Sequence, residues 1–146
     1  MRALIQRVSE AEVWVNNRPV SAIKRGLLIF LGVQKGDTPA AADYLAQKIS
    51  RLRIFEDDAG KMNLSVADIK GELLAVSQFT LAGDTSRGNR PGFETAAKPE
   101  LAQPLYGYFV ERLRATGLCT ATGIFQADMQ VKLINDGPVT FMLEKI

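Results

Sequence analysis

The sequence predicts an α+β fold in which a mainly antiparallel, barrel-like sheet carries two principal helices. Two observations lead there. Apolar runs of strand length recur along the chain, several of them joined by short turns as in hairpins, whereas only the segments after Pro39 and Pro99 repeat apolar residues at helical spacing. Several hairpin-like strands flanking two separated helices fit such a domain better than a doubly wound parallel sheet. A third observation narrows function: no Gly-rich phosphate loop stands at a strand-to-helix junction, which argues against nucleotide hydrolysis.

From the N-terminus, Met1 to Val8 is the first strand, with Ala3, Ile5 and the stem of Arg7 on one face and Leu4 and Val8 on the other, so Arg7 is expected to point inward. Ala11 to Val15 and Arg18 to Ile23, joined by Asn16-Asn17, form a hairpin, and Gly26 to Val33 is apolar enough for a central strand. Thr38 and Pro39 supply the N-cap and first residue of a helix that places Leu45, Ile49 and Leu52 at helical spacing. Asp57-Asp58-Ala59-Gly60 is a turn, since no further ligands follow at the spacing of a calcium loop. Leu73 to Phe79 is the next strand, and Ala82 to Phe93, with Gly83, Gly88, Pro91, Gly92, Arg87 and Arg90, reads as a flexible basic loop suited to substrate contact. Pro99 opens the second helix, with Leu101, Leu105, Phe109 and Leu113 as its apolar stripe and Gly117 as its stop. Thr120 to Phe125, Met129 to Ile134 and Val139 to Glu144 complete the strands.

With 146 residues, 47% hydrophobic and 23% charged, the chain has the size and composition of one globular domain covering 1–146. Cys119 is its only cysteine, which forbids an intrachain disulfide and points to a reducing, cytoplasmic compartment. The longest apolar run, Leu27 to Leu31, is far too short to span a bilayer, so no membrane partner is expected. A net charge of +2 neither requires nor excludes a nucleic-acid partner. Arg51, Arg53, Lys61, Arg87, Arg90 and Lys98 do bring recurrent positive charge to the middle of the chain, which fits either a solvated basic face or a phosphate contact. There is no histidine. Ser-His-Asp and Cys-His catalysis and the His-Glu-x-x-His zinc site are therefore excluded. No cofactor and no metal set is expected.

Two stretches stand out. Asn135-Asp136-Gly137-Pro138-Val139-Thr140 lies between the apolar runs Val131 to Ile134 and Val139 to Leu143, where Asn-Asp-Gly alone would read as a tight hairpin turn. Pro138 complicates that reading, because it brings no N–H to the returning strand and constrains Gly137, leaving a bare carbonyl at the tip. A structural turn and a functional tip both fit these residues. The second stretch, Ser77-Gln78-Phe79-Thr80-Leu81, places a polar pair where the apolar run Leu73 to Val76 should end.

Together, Ser77-Gln78-Phe79-Thr80 and Asn135-x-Gly137-Pro138-x-Thr140 resemble the paired motifs of the D-aminoacyl-tRNA deacylase family. The resemblance runs from Met1-Arg2-Ala3-Leu4-Ile5-Gln6-Arg7-Val8 to the last strand and includes Arg87-Gly88-Asn89-Arg90-Pro91. It implies a homodimer that hydrolyses the ester of D-aminoacyl-tRNA, and of glycyl-tRNA. It also implies a cis Gly137-Pro138 bond whose carbonyls enter the partner's active site and reject L-aminoacyl-tRNA. Ser77, Gln78, Phe79 and Thr80 match the catalytic segment, with backbone amides near Phe79 available to an oxyanion. Substrate-binding positions fall on Gly137, Pro138, Arg7, Ala102, Phe125 and Met129, while Gln126 departs from the small residue common in the family. Without histidine to activate a Thr80 nucleophile, a terminal ribose hydroxyl that helps activate water is the preferred mechanism. A non-catalytic nucleic-acid-binding protein on the same fold, and a hydrolase acting through Thr80 on ordinary esters or amides, are the competing readings.

Overall fold

The structure, a computed structural model, describes residues 1–146. In chain order the elements are β1 (Arg2–Val15), β2 (Arg18–Ile23), β3 (Gly26–Gly32), α1 (Pro39–Arg51), β4 (Phe55–Glu56), β5 (Met62–Leu64) and β6 (Glu72–Ser77). A 3-10 turn (Phe79–Ala82), α2 (Pro99–Arg114), β7 (Thr120–Thr122) and β8 (Gln130–Glu144) follow.

The organising strand is β1, which joins into one element the two short strands expected at Met1 to Val8 and Ala11 to Val15. One edge of β1 pairs with β3 over its first half and with β2 over its second, while β8 runs antiparallel along the other edge for nearly its whole length. The sheet continues through β3, β6 and β7 with parallel pairing, because α1 lies in the connection from β3 to β6 and α2 in that from β6 to β7. The result is a barrel-like, mainly antiparallel sheet with two helices, and no helix is long and apolar enough to cross a membrane.

The main core lies between the helices and one face of the sheet. Ala3 and Ile5 of β1, Leu27, Ile29 and Leu31 of β3, and Leu73 and Ala75 of β6 meet Leu45 and Ile49 of α1 and Phe109 and Leu113 of α2. Alternation along β1 sends Arg7 to this buried side, as its sequence parity requires. The α2 stripe differs from expectation. Leu101 is 64% exposed, and the buried line is Ala102, Tyr106, Phe109, Val110 and Leu113. A 3.6-residue period rotates the contact by one position, and Tyr106 is long enough to bring its hydroxyl to the sheet. Thr38 does precede α1, but its side chain makes no capping bond, so Pro39 alone marks the start chemically. The Asp57 carboxylate accepts the N–H groups of Ala59 and Lys61, and the bond from Lys61 chiefly holds its carboxyl below the usual range.

Tyr106 donates its hydroxyl to the Ala75 carbonyl at 2.9 Å, and burial pushes the phenol up to about 12. An unfolded tyrosine titrates near pH 10. Its contribution to stability is therefore complete below about pH 10 and is lost as pH rises toward 12, because the unfolded chain gives up the proton first. The urea midpoint should fall across that window, and Tyr106→Phe should flatten the fall; identical slopes in both proteins would remove Tyr106 as the cause.

Candidate functional site

Strands β3 and β6 run parallel to their last pair, Leu31 and Ser77, and beyond that end a cavity of about 650 Å³ opens. One wall is Val76, Ser77, Gln78 and Phe79. A second is Ala97, Pro99 and Ala102 at the start of α2, and a third is Phe125 to Met129 with Val131. Ser77, Gln78, Phe79, Ala102, Phe125 and Met129, three separate parts of the sequence, thus converge on one cavity. Thr80, Arg7, Gly137 and Pro138 do not line it.

The motif segment turns sharply because β6 stops at Ser77 rather than at Phe79. The Gln78 N–H extends the ladder once more, to the Leu31 carbonyl at 2.8 Å, and the chain then enters the 3-10 turn. Glycine at position 32 makes room for this: a β-carbon there would lie 2.9 Å from the Leu81 β-carbon and 3.0 Å from the Gln78 carbonyl oxygen. Phe79 is 55% exposed and packs edge-on against Phe93, with ring centroids 5.2 Å apart. Thr80 is exposed, and its hydroxyl accepts a hydrogen bond from the Gln78 side-chain amide. As the opening residues of a turn, Phe79 and Thr80 have N–H groups with no acceptor inside that turn.

The basic loop after the motif is tied at its neck. Asp84 and Gly92 exchange two backbone hydrogen bonds at 2.7 and 2.9 Å, and Thr95 donates to the Ala82 carbonyl. Hydrogen bonds from Ser86, side chain first, hold the Asp84 carboxyl below its ordinary range. Arg87 and Arg90 sit exposed beyond that neck.

Asn135 to Thr140 is not a hairpin. Both flanks belong to β8 and pair with β1: Asn135 faces Val8 and Thr140 faces Gln6, so five steps on β8 oppose two on β1. The surplus residues bulge outward, with Gly137 and Pro138 exposed and the peptide bond between them cis. The base of this bulge is clamped. Arg7 is 4% exposed, and its Nε lies 3.0 Å from Asp136 Oδ2 and 3.2 Å from the Asp136 carbonyl, while Nη1 donates to the Ile54 carbonyl at 2.7 Å. The Asn135 amide donates to the carbonyls of Arg7 and Val139. Arg7 therefore sits under the loop and away from the cavity.

Sequence reasoning missed Gly123, where a β-carbon would meet Met129 Sδ at 2.5 Å; a glycine within a strand pattern signals such an approach. Gln126, at the cavity wall, holds a left-handed backbone with φ 63°, which the shape of the 125–129 turn requires. No three Cys, Asp or Glu side chains converge as a metal cluster.

The fold and the cavity define a small α+β protein whose candidate site lies at one end of its sheet and contains no imidazole. The chain belongs to the D-Tyr-tRNA(Tyr) deacylase family, whose model matches residues 4–144. It is 65% identical to a protein named D-aminoacyl-tRNA deacylase from Geotalea uraniireducens, covering 99% of this chain and 93% of that one. Proteins of the same name from Geobacter sulfurreducens and Thermotoga petrophila are 62% and 60% identical, each over 99% of this chain and over 95% and 97% of their own. Among solved structures, one described as the c-Myc DNA Unwinding Element Binding Protein superposes with a TM-score of 0.94 at 43% identity, covering 100% of this chain and 99% of its own. Another, described as a probable eukaryotic D-amino acid tRNA deacylase, has a TM-score of 0.84 at 17% identity over 97% of each chain, a likeness of fold.

Proposed function

We propose that this protein hydrolyses the ester of D-aminoacyl-tRNA, and of glycyl-tRNA, and works as a homodimer whose Gly137–Pro138 loops reach into the partner's cavity. The observation that carries this reading is the separation of the two motifs: one walls a cavity, the other projects from β8 and does not line that cavity in its own chain. A second copy supplies a place for the projecting loop. The outer edge of β8 has no strand beside it, and Ile134, Phe141 and Met142 on that strand are exposed, which favours a covering partner.

In the cavity, Ser77 and Gln78 orient the ester while the Phe79 amide meets the developing oxyanion. The loop carbonyls admit hydrogen or a D side chain at the α-carbon and exclude an L side chain by contact, so glycine passes as well. Thr80 has no base beside it and faces Gln78, so the terminal ribose hydroxyl of the RNA is left to help activate water. D-aminoacyl-tRNA should be turned over and L-aminoacyl-tRNA spared, with a dimer in sedimentation; absence of D-selective turnover by the folded dimer would sink the reading. Thr80→Val should keep kcat within about tenfold of the parent, whereas complete loss in a folded, tRNA-binding variant would make the hydroxyl the nucleophile.

The solved structure described as a DNA-unwinding-element binding protein favours one alternative, nucleic-acid binding without chemistry on the same fold. Salt-sensitive binding with no ester cleavage is its signature.

A further inference from the structure

A second cleft, of about 370 Å³, runs along the outer face of α1 and is lined by Tyr44, Gln47, Lys48, Arg51, Leu52 and Arg53. Half of these residues are cations, and no carboxylate approaches Lys48, Arg51 or Arg53 within ion-pair distance. Arg53 is instead steadied by the neutral Asn63 amide oxygen at 3.0 Å. Tyr44, Lys48 and Arg51 share one helical face by their spacing, and the Lys145 ammonium, from the far end of the chain, lies 5.0 Å over the Tyr44 ring.

Cations in a last helical turn are favoured by the helix dipole, and that accounts for Lys48 and Arg51 taken alone. It does not account for a concave site with an aromatic side, nor for Arg53 and Lys145 arriving from outside the helix. Unrelieved positive charge around a cleft is the arrangement that gathers a polyanion. The cleft also has a fixed relation to the loop. Arg53 adjoins Ile54, whose carbonyl is bound by Arg7, and Arg7 holds Asp136 at the base of Gly137–Pro138.

We infer that the α1 cleft holds the phosphodiester backbone of the RNA whose aminoacylated end occupies the partner subunit's cavity. This rests on the cross-subunit reading of the loop: a loop that enters the partner's cavity carries the flanking cleft to the mouth of that same cavity. The subunit that screens the amino acid would then also grip the RNA.

The test uses Lys48→Gln/Arg51→Gln in the full-length protein. Binding of uncharged tRNA, measured as a function of salt, should weaken by about tenfold or more at low salt, and the slope of log K against log salt should flatten by about 2, close to 0.9 for each phosphate that is no longer neutralised. Because this readout needs no catalysis, an unchanged slope overturns the inference even where D-selective deacylation is intact. A flattened slope without any deacylation instead sinks the enzymatic reading alone. On D-aminoacyl-tRNA the variant should show a raised KM at unaltered kcat, and D-aminoacyl-adenosine, which lacks the backbone, should be cleaved as by the parent. Equal loss on the short substrate would make the effect structural and overturn the inference. Finally, a hybrid dimer of this variant with an Ala102→Phe chain, whose cavity is blocked, leaves one open cavity opposite one intact cleft. A parental KM at about half the parental kcat supports the cross-subunit grip, and the raised KM of the double variant would overturn it.

Discussion

Asp136→Ala should destabilise the fold more than Arg7→Met, although Arg7 is the buried partner and Asp136 is half-exposed. Removing Asp136 leaves a guanidinium that is 4% exposed with only the Asp136 and Ile54 carbonyls as acceptors. Breaking a buried pair in this way costs roughly 3 to 5 kcal/mol, and the exposure of Asp136 puts this case toward the lower end. Arg7→Met instead removes the buried charge, fills similar volume beside Phe55, and orphans chiefly the Ile54 carbonyl, at about 1 to 2 kcal/mol. Adding Arg7→Met to Asp136→Ala should therefore recover stability. Both single variants free the base of the Gly137–Pro138 bulge, and displacement of a positioning element by about 1 Å can cost a hundredfold in rate, so D-aminoacyl-tRNA turnover should fall steeply in each. Urea melts of the three variants, paired with deacylation assays, check both halves. Full activity in Arg7→Met would show that the clamp is not needed to place the loop, and an Arg7 that binds substrate directly would raise KM while leaving stability unchanged.

The second large effect is expected at Gly26→Ala. This residue opens β3 where that strand meets β6, and a β-carbon would overlap the Glu72 carbonyl oxygen and stand 2.7 Å from the Glu72 nitrogen. The obstacle is backbone, so no rotamer change relieves it. The Glu72 N–H to Arg25 carbonyl bond, 3.0 Å long, would have to open. Overpacking usually costs about 1 to 3 kcal/mol, and a collision with fixed backbone should reach about 3 or more. For a chain of this length that lowers Tm by roughly 6 to 12 °C, at about 2 to 4 °C per kcal/mol. Gly60→Ala is the control: nothing lies within 4 Å of its added methyl, and only its φ of 75° resists, at about 1 kcal/mol. Equal melting temperatures for the two variants would mean that β3 and β6 separate easily.

Much of this could be read before the fold was known, because alternation and turn chemistry are local. The parity of β1 placed Arg7 inside, and Pro39 and Pro99 marked both helix starts, whereas the strand expected to run to Phe79 stops at Ser77, the first of the polar pair. Where local signals misled, a long-range partner had decided the matter. Asn135-Asp136-Gly137-Pro138 carries the residues of a hairpin turn, yet both of its flanks pair with the same 14-residue strand, so the surplus residues become a bulge. Leu101 fits a helical stripe as well as Ala102 does, and only the direction from which the sheet approaches α2 exposes one and buries the other.

For the site, the sequence by itself determined which side chains are available. The absence of histidine, the Ser77-Gln78-Phe79-Thr80 stretch and the Gly137-Pro138 pair are matters of composition and order, and no folding can change them. What only the tertiary structure decided is which of these residues meet. It put Ser77, Gln78 and Phe79 with Ala102, Phe125 and Met129 around one cavity, turned Thr80 toward Gln78, placed Arg7 beneath the loop, and kept Gly137 and Pro138 off that cavity. The physical reason is that a pattern of apolar spacing fixes the face a side chain takes within its own element, whereas pairing and packing between distant elements fix what stands opposite that face.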